Sequence, residues 1–354
     1  MIQVAAHLVD HVFPIAPVRQ WVLSFPKRIR YFLHHNPEIV SSVLNILITA
    51  TEKQLILSCS KDSSIPKGSR LGAITFIQRF GKALNPHFHF HSCIIDGVFD
   101  KEGKFYPIKS LNFEEIQSIQ ENVRKRILKL FLRHQFLDSE ATSDMLDWEN
   151  SGFSLNANVR IAAHDREGLE RLLRYCARPA FSGERLDRVK DKIRYLLPKP
   201  TPDGRTTLLL QPQELMNKLA QLIPPPKRHR HHYHGVLAPN SPLRAKITSN
   251  ANKGLLFELA TRKEELPFLL PEASLEKSGE VLKTSRSLPS PAEIKTVPQE
   301  PEKKKANTAS LYRWAVLMAR IFEFFPLRYG PCALDALWKA SPLHRSGRIR
   351  FPCV

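Results

Sequence analysis

Three histidines alternate with aromatic residues within residues 84–97, which read LNPHFHFHSCIIDG. In a β-strand, alternate side chains point to the same face, so His87, His89 and His91 are predicted to line one side. The phenylalanines between them would point to the other side, where they can anchor the strand to a core. Imidazole is a common ligand of divalent transition metals, so the pattern predicts a two-histidine metal site, with the two ligands left open among the three.

The same row has a plainer interpretation, as a polar strand face with ordinary hydrogen bonds that binds metal only adventitiously. Two features favour a functional site. The three imidazoles share one register with aromatic residues between them, and a turn signal at Asp96-Gly97 follows closely.

A helix predicted from about residue 165 to residue 178 carries a second candidate for chemistry. Its apolar residues recur with the spacing of a helix face that packs on a core. They are Leu169, Leu172, Leu173 and Cys176. Tyr175 lies near the edge of that face, with Arg171 four residues before it and Arg178 three residues after it, so both cations can lie beside the phenol.

A tyrosine in that place could attack a phosphate. A metal ion would polarise the phosphate, the arginines would stabilise charge, and the phenol oxygen would form the covalent bond. Taken alone, the helix equally allows a boundary tyrosine whose ring faces the core and whose hydroxyl lies in water.

The charge of the chain indicates a polyanionic partner. Lysine and arginine number 53 against 34 aspartates and glutamates, which gives a formal net charge of +19 and a pI near 9.9. A soluble chain with that excess is expected to bind nucleic acid, although a ribosomal or membrane-surface role would also explain it. At 354 residues and 42% hydrophobic content, the chain can form one large or two modest domains.

Two further patterns concern the compartment. No apolar run approaches the roughly 18 to 20 residues of a membrane span, and no signal peptide is evident, so a cytoplasmic, nucleoid-associated protein without membrane contact is expected. The cysteines form no CxxC pair, which argues against a zinc ribbon and a disulfide framework. Free, mostly buried thiols are expected at Cys59, Cys93, Cys176, Cys332 and Cys353.

The order of predicted elements favours an α+β domain with a largely antiparallel sheet flanked by helices. The chain has no Gly-rich phosphate loop, which makes a nucleotide-binding α/β fold a weaker interpretation. Strands are predicted at 19–25, 73–80, the histidine segment, 98–99 paired with 104–106, and 153–162. Helices are predicted at 38–50, 113–136 and 165–178.

Several sequence blocks follow one another between about residues 5 and 245. They are VRQWVLSFP at 18–26, FIQRFG at 76–81, the histidine strand through DGVF at 96–99, RYCARP at 174–179, PPP at 224–226 and YHGVLAPN at 233–240. Together, and in this order, they resemble the HUH rolling-circle transposases of the IS-ninety-one type.

The resemblance implies an HUH endonuclease-like fold and an enzyme that cleaves and rejoins the single-stranded DNA ends of its element. The family's His-hydrophobe-His motif lies just before the Asp-Gly turn, which selects His89 and His91 as ligands of Mg²⁺ or Mn²⁺ and leaves His87 as a neighbour or reserve. Gln78, His87 or an acid from elsewhere could supply the third ligand that is needed. The nucleophile carries over to Tyr175, which implies a 5′-phosphotyrosine link and a free 3′-hydroxyl.

The sequence departs from the family pattern in three places. Many relatives have a second tyrosine one helical turn after the first, where this chain has Pro179, so a single-tyrosine mechanism is implied. Relatives tend to begin with a cysteine-rich zinc module and to carry CxxC cysteines near the end, so the resemblance implies truncation at the start and alteration at the end. An inactive DNA-binding remnant and a His-x-His metallohydrolase that activates water are the alternatives.

The segment at 227–234 combines cations with imidazoles and a phenol, which suits contact with phosphates and stacking on bases. Lys227, Arg228 and Arg230 are its candidate DNA contacts, and a solvated basic loop is the alternative. The predicted organisation is a nuclease domain at 1–200, a basic DNA-contacting extension at 201–250, an extended segment and disordered linker at 251–306, and a C-terminal helix and degenerate tail at 307–354. The apolar face of that helix, at 311–325, is expected to pack on the main domain or to bind a partner.

Overall fold

The histidine segment forms the third strand of an antiparallel sheet. The structure, a computed structural model, describes residues 2–60, 64–224 and 229–251. Its main helices are α1 (Ile2–His11), α2 (Lys27–His35), α3 (Pro37–Ser60), α4 (Phe113–Arg133), α5 (Ser139–Asp147), α6 (Arg166–Cys176) and α7 (Pro212–Leu222). Its strands are β1 (Val18–Ser24), β2 (Gly72–Phe80), β3 (Pro86–Ile95), β4 (Gly97–Phe99), β5 (Phe105–Pro107), β6 (Ser154–Asn156), β7 (Arg160–Ile161), β8 (Leu186–Val189), β9 (Lys192–Leu196), β10 (Thr207–Leu210) and β11 (His231–Gly235).

The main sheet has the strand order β11-β2-β3-β1-β6, and β7 pairs with β1. All of these pairs are antiparallel, and helices cover both faces of the sheet. The predicted α+β class with a largely antiparallel sheet is therefore confirmed.

The alternation in β3 separates two hydrophobic cores. Phe88 and Phe90 belong to the core that β1 and β3 share with α2, α3 and α4. On the opposite face, Cys93 and Ile95 belong to a second core, with α1 and α6. The histidines lie on this second face, as the period-two pattern predicted, because successive side chains of a strand point to opposite sides.

A smaller sheet, with the order β10-β9-β8, follows the tyrosine helix. Together with α7 it forms a third core, which also includes Leu84 from the turn between β2 and β3. Sequence reasoning missed this unit, because its strands are only four or five residues long and their apolar residues alternate weakly.

Most predicted elements lie where they were expected, with three differences. The helix opened by Pro37 continues to Ser60 rather than ending near residue 50, and the strand expected at 153–162 is divided into β6 and β7. The basic segment contributes the edge strand β11, which pairs with β2. The linker and C-terminal helix predicted beyond residue 251 lie outside the described residues, as do Cys332 and Cys353.

Among the described residues, helix α3 is long and apolar enough to cross a membrane, by length and composition alone. It has 24 residues, and its most apolar stretch of 18 residues has a mean hydropathy of 1.2. Its apolar side chains nevertheless pack in the first core, among them Val43, Leu44 and Leu47. A helix buried in a protein core passes the same test of length and composition.

The turn after β3 is held by a buried carboxylate. Asp96 accepts hydrogen bonds from Arg19 at 2.9 and 2.8 Å and from Arg160 at 2.7 Å. Arg19 also donates to the backbone carbonyl of Ala157 at 3.0 Å. The carboxylate thus joins β1, the end of β3 and β7, and it fixes the strand that carries the histidines.

Replacing this carboxylate is expected to destabilise the fold. In Asp96→Asn, two guanidinium groups lose their anion, and the buried Arg19 is left without a counter-charge, so unfolding should cost about 3–5 kcal/mol less. Urea denaturation measures the change. The matched control is Asp187→Asn, which breaks the exposed ion pair with Arg194. It should lower the free energy of unfolding by less than about 1 kcal/mol. Equal, small losses in both variants would contradict the structural role of Asp96.

Candidate active site

The histidine row lies beneath the C-terminal end of α6. The ring centroids of His87 and His89 are 4.9 Å apart, and those of His89 and His91 are also 4.9 Å apart. His89 and His91 are buried, whereas His87, at the start of the strand, is half-buried. The three imidazoles therefore form one continuous row, as their spacing predicted.

His89 is oriented by the backbone. Its Nδ1 lies 2.9 Å from the carbonyl oxygen of His87. A carbonyl can only accept, so Nδ1 carries the proton and Nε2 of the neutral ring has a free lone pair. Burial lowers the pKa of His89, and this effect outweighs the hydrogen bond to the carbonyl, which raises it. The ring is therefore neutral at pH 7, the form that binds metals.

His87 has a different environment from the other two histidines. Arg30 Nη1 lies 2.8 Å from its Nδ1, and a guanidinium can only donate. The lone pair of Nδ1 is therefore occupied and Nε2 carries the proton, which leaves His87 no lone pair for a metal. Burial, then Arg30 and His89, lowers the pKa of His87 to about 4.

Gln78 lies opposite His89 in the pairing of β2 with β3. Its Nε2 donates to the carbonyl of Cys176 at 2.8 Å and lies 3.5 Å from the carbonyl of Tyr175. These contacts fix which end of the amide faces the helix. Oε1 is left buried and has no hydrogen-bond partner among the described residues. An unsatisfied buried acceptor is costly, so this atom is suited to a cation or a donor that arrives with a ligand.

His91 also has a buried nitrogen without a partner. Its Nε2 is buried without a hydrogen-bond partner in the part of the chain that the structure describes, and its Nδ1 lies 2.9 Å from Gln20 Nε2. Burial, then His89 and Arg178, lowers the pKa of His91 to about 3. The ring is therefore neutral across the physiological range.

These atoms define what the site could hold. Within the described ranges, no three histidine, cysteine, aspartate or glutamate side chains converge as a metal-binding group. The donors available are Nε2 of His89, the amide oxygen of Gln78 and, when the Gln20 amide turns its oxygen toward Nδ1, Nε2 of His91. Such a mixed set fits a transition ion such as Mn²⁺ better than Mg²⁺, which prefers oxygen ligands in octahedral geometry.

Tyr175 lies directly beside the histidine row. The centroids of the Tyr175 and His91 rings are 5.5 Å apart, and the two rings are nearly perpendicular. The side chain is 47% exposed, so a ligand can reach the phenol. Residues 84 positions apart in the chain thus meet at one place, on the histidine face of the sheet.

The two arginines of the tyrosine helix have different positions. The Arg178 guanidinium carbon lies 4.6 Å from the centroid of the Tyr175 ring and 5.6 Å from that of Phe80. Arg171 instead forms exposed ion pairs with Asp165 at 4.0 Å and with Glu167 at 3.6 Å. Of the two cations predicted to flank the phenol, Arg178 therefore does so, whereas Arg171 is directed to the acids of the first helical turn.

Arg166, at the start of α6, positions the helix. Its buried guanidinium donates to backbone carbonyls at the end of α1 and just beyond, those of Val9, Phe13 and Pro14. The Val9 carbonyl lies in the last turn of α1, where carbonyls lack partners within the helix, so Arg166 caps α1 while it holds α6 in place. Sequence reasoning missed Arg166 because nothing in the local pattern separates it from a surface arginine.

A cavity of about 430 Å³ opens next to the site. Its wall includes Gln78, Phe80, Arg178 and Arg230, and the strand β11 contributes His231 and His232. Pockets of roughly this volume accept small molecules and single nucleotides. Arg230 is thus near the site, whereas Lys227 and Arg228 lie outside the described residues.

The buried histidines predict that stability rises with pH. An unfolded histidine takes up a proton below about pH 6.5, whereas folded His91 resists protonation down to about pH 3. The contribution of His91 to the free energy of unfolding is therefore fully present above pH 6.5. It is lost as the pH falls from about 6.5 to about 3. Between pH 7 and pH 5, His91 should account for a loss on the order of 1–2 kcal/mol.

Urea denaturation at the two pH values tests this dependence. The difference should shrink in His91→Gln and stay unchanged in His164→Gln, which alters an exposed histidine. An unchanged difference in His91→Gln would contradict the neutral, buried state of His91.

Comparison with known proteins gives one family match. Residues 72–244, slightly less than half of the chain, match a family described as "Putative transposase". The matched segment contains the histidine strand, the tyrosine helix and the edge strand β11. No curated protein and no solved structure matches the chain. The family match supports a transposase role, and thus a protein that acts on DNA.

Proposed function

We propose that this protein is a metal-dependent tyrosine transposase of the HUH type, which cleaves and rejoins single-stranded DNA during rolling-circle transposition. The observation that carries the proposal is the juxtaposition of an accessible tyrosine with two buried, neutral histidines, 5.5 Å from the nearer ring. The histidines supply metal ligands and the tyrosine supplies a nucleophile, and the two are joined in one site by α6 and β3.

The divalent ion would be held through Nε2 of His89 and through Nε2 of His91 in the tautomer whose proton is on Nδ1, with Gln78 Oε1 as the third protein ligand. When bound, an ion of this kind polarises the scissile phosphate and stabilises the charge that develops on it. The ion would be Mn²⁺ or Mg²⁺, and the two nitrogen ligands favour Mn²⁺.

In the covalent step, the Tyr175 oxygen attacks the phosphorus of a phosphodiester. A Tyr–O–P bond to the 5′ side forms as the bond from phosphorus to the 3′ oxygen breaks. The phenol loses its proton to solvent, and the departing 3′ oxygen gains one to become a hydroxyl. Rejoining is the reverse attack by a 3′-hydroxyl, and it uses the bond energy stored in the phosphotyrosine.

Arg178 would act on the same phosphate. Its stacking on Tyr175 and Phe80 holds a permanent cation beside the phenol, and a guanidinium can donate two parallel hydrogen bonds to phosphate oxygens. Arg171 would contact DNA further from the reacting group, because its ion pairs direct it along the helix.

The substrate would be single-stranded because only an unpaired strand offers bases that can stack in the adjoining cavity. The adjoining cavity is lined by the cations of Arg178 and Arg230 and by imidazoles of β11. Such a surface can bind a phosphate backbone and stack on unpaired bases. Lys227 and Arg228 remain candidate DNA contacts from the sequence pattern alone. A role of this kind belongs to a cytoplasmic protein that works at the nucleoid.

The test is a cleavage assay with end-labelled single-stranded oligonucleotides tiled across both sides of the gene. With Mn²⁺, the proposal predicts cutting at one position, a free 3′-hydroxyl on one product and protein on the 5′ end of the other. The chelator EDTA should abolish it. Cleavage to a free 5′-phosphate would indicate a water-activating metallohydrolase, and binding without cleavage would indicate an inactive DNA-binding remnant.

A further inference from the structure

Gln20 links the histidine strand to the tyrosine helix. It lies on β1, opposite Cys93 of β3, and its side chain is buried on the face that carries the histidines. In the structure its amide nitrogen, Nε2, lies 2.9 Å from His91 Nδ1 and 3.4 Å from the sulfur of Cys176, the residue next to the nucleophile. One side chain thus contacts both halves of the site.

Either end of the amide can fill this place, because its oxygen and nitrogen have nearly the same size. With the nitrogen toward His91, Nδ1 must accept, so Nε2 carries the proton and becomes a buried donor without a partner. With the oxygen toward His91, Nδ1 donates and Nε2 has a free lone pair. The Cys176 thiol can then donate to the same oxygen.

We infer that Gln20 is a positioning residue for His91: its amide oxygen accepts from Nδ1–H, selects the tautomer with a free Nε2, and thereby sets the affinity of the site for a divalent cation. The inference rests on the proposed metal site. The sequence did not single out Gln20, because a glutamine in an apolar strand has no motif of its own.

The tautomer is measured first, in the metal-free protein with ¹⁵N-labelled histidine. Protonated and lone-pair ring nitrogens resonate in well-separated regions, and loss of signals in His91→Gln assigns the ring. Wild-type protein should show Nδ1 protonated and Nε2 bare. In Gln20→Met, which keeps the length of the side chain and removes the acceptor, this preference should be lost.

Metal affinity is measured next, by titrating the same proteins with Mn²⁺ alone and following bound ion by electron paramagnetic resonance. Loss of an outer partner of a ligating histidine typically weakens binding, so Gln20→Met should bind Mn²⁺ about 10–100-fold more weakly. Gln20→Glu, which can only accept at this position, should restore both the tautomer and the wild-type affinity. Thermal unfolding of each variant shows whether the fold is retained.

The outcomes separate the inference from the function on which it rests. Unchanged tautomer and unchanged Mn²⁺ affinity in a folded Gln20→Met protein would overturn the positioning role, as would a Gln20→Glu protein that fails to restore either. If wild-type protein binds no Mn²⁺ while the His91 tautomer still depends on Gln20, the positioning role stands and the proposed metal-dependent function fails.

Discussion

The variant Tyr175→Phe is expected to form no covalent complex with DNA while it binds the same DNA almost as well as the wild type. The phenol oxygen is the atom that would bond to phosphorus, and phenylalanine lacks it. The ring itself remains, so its packing against His91 and Arg178 is retained. The amount of covalent complex should thus fall below detection, with little change in the free energy of unfolding.

A denaturing protein gel with labelled single-stranded DNA and Mn²⁺ measures this result, and filter binding measures affinity. Tyr31→Phe is the matched control, since Tyr31 is exposed on α2, in the sheet's other helix layer. The control should form the complex at the wild-type level. A complex that persists in Tyr175→Phe would show that another side chain is the nucleophile.

The second large effect is expected from His91→Asn, which should lower the rate of adduct formation by about 10³-fold or more. A bound cation contributes several kcal/mol of charge stabilisation at the scissile phosphate, and about 4 kcal/mol corresponds to that factor. The asparagine preserves a polar group but cannot place a nitrogen lone pair where Nε2 lies. The rate is measured in single-turnover experiments at a fixed Mn²⁺ concentration.

His87→Gln is the internal comparison on the same strand. Arg30 already occupies the lone pair of His87 Nδ1, so removing this imidazole should leave the rate within about an order of magnitude of the wild type. If His87→Gln and His91→Asn lowered the rate of adduct formation equally, the assignment of His89 and His91 as ligands and His87 as a neighbour would be contradicted.

Periodicity predicted much of the scaffold because it reports burial directly. The alternation around Phe88 and Phe90 fixed the face of the histidines, and the helical spacing from Leu169 to Cys176 fixed the edge position of Tyr175. These patterns are local, and each follows from which side of an element faces a core. The local patterns thus predicted which side of each element carries its candidate residue, but not that α6 packs on the histidine face of the sheet.

The contacts that orient the side chains of the site join residues far apart in the chain, so local sequence patterns could not predict them. Gln20 reaches His91 across 71 positions, Arg19 reaches Asp96 across 77, and Arg166 reaches Pro14 across 152. Gln20, Arg19 and Arg166 are polar residues whose sequence neighbours do not indicate burial. Only the folded structure shows that their side chains are buried. The distinction between His87 and His91 has the same origin, since it depends on Arg30, a residue of another element.

The central claim, that Tyr175 becomes covalently joined to DNA, is tested most directly by mass spectrometry. The protein is incubated with Mn²⁺ and single-stranded DNA from the flanks of its gene, digested with nuclease and protease, and the peptide that contains Tyr175 is fragmented. The account predicts a 5′-nucleotide attached to the oxygen of Tyr175, present only with metal. A nucleotide on any other residue, or cleaved DNA with an unmodified Tyr175 peptide, would contradict it.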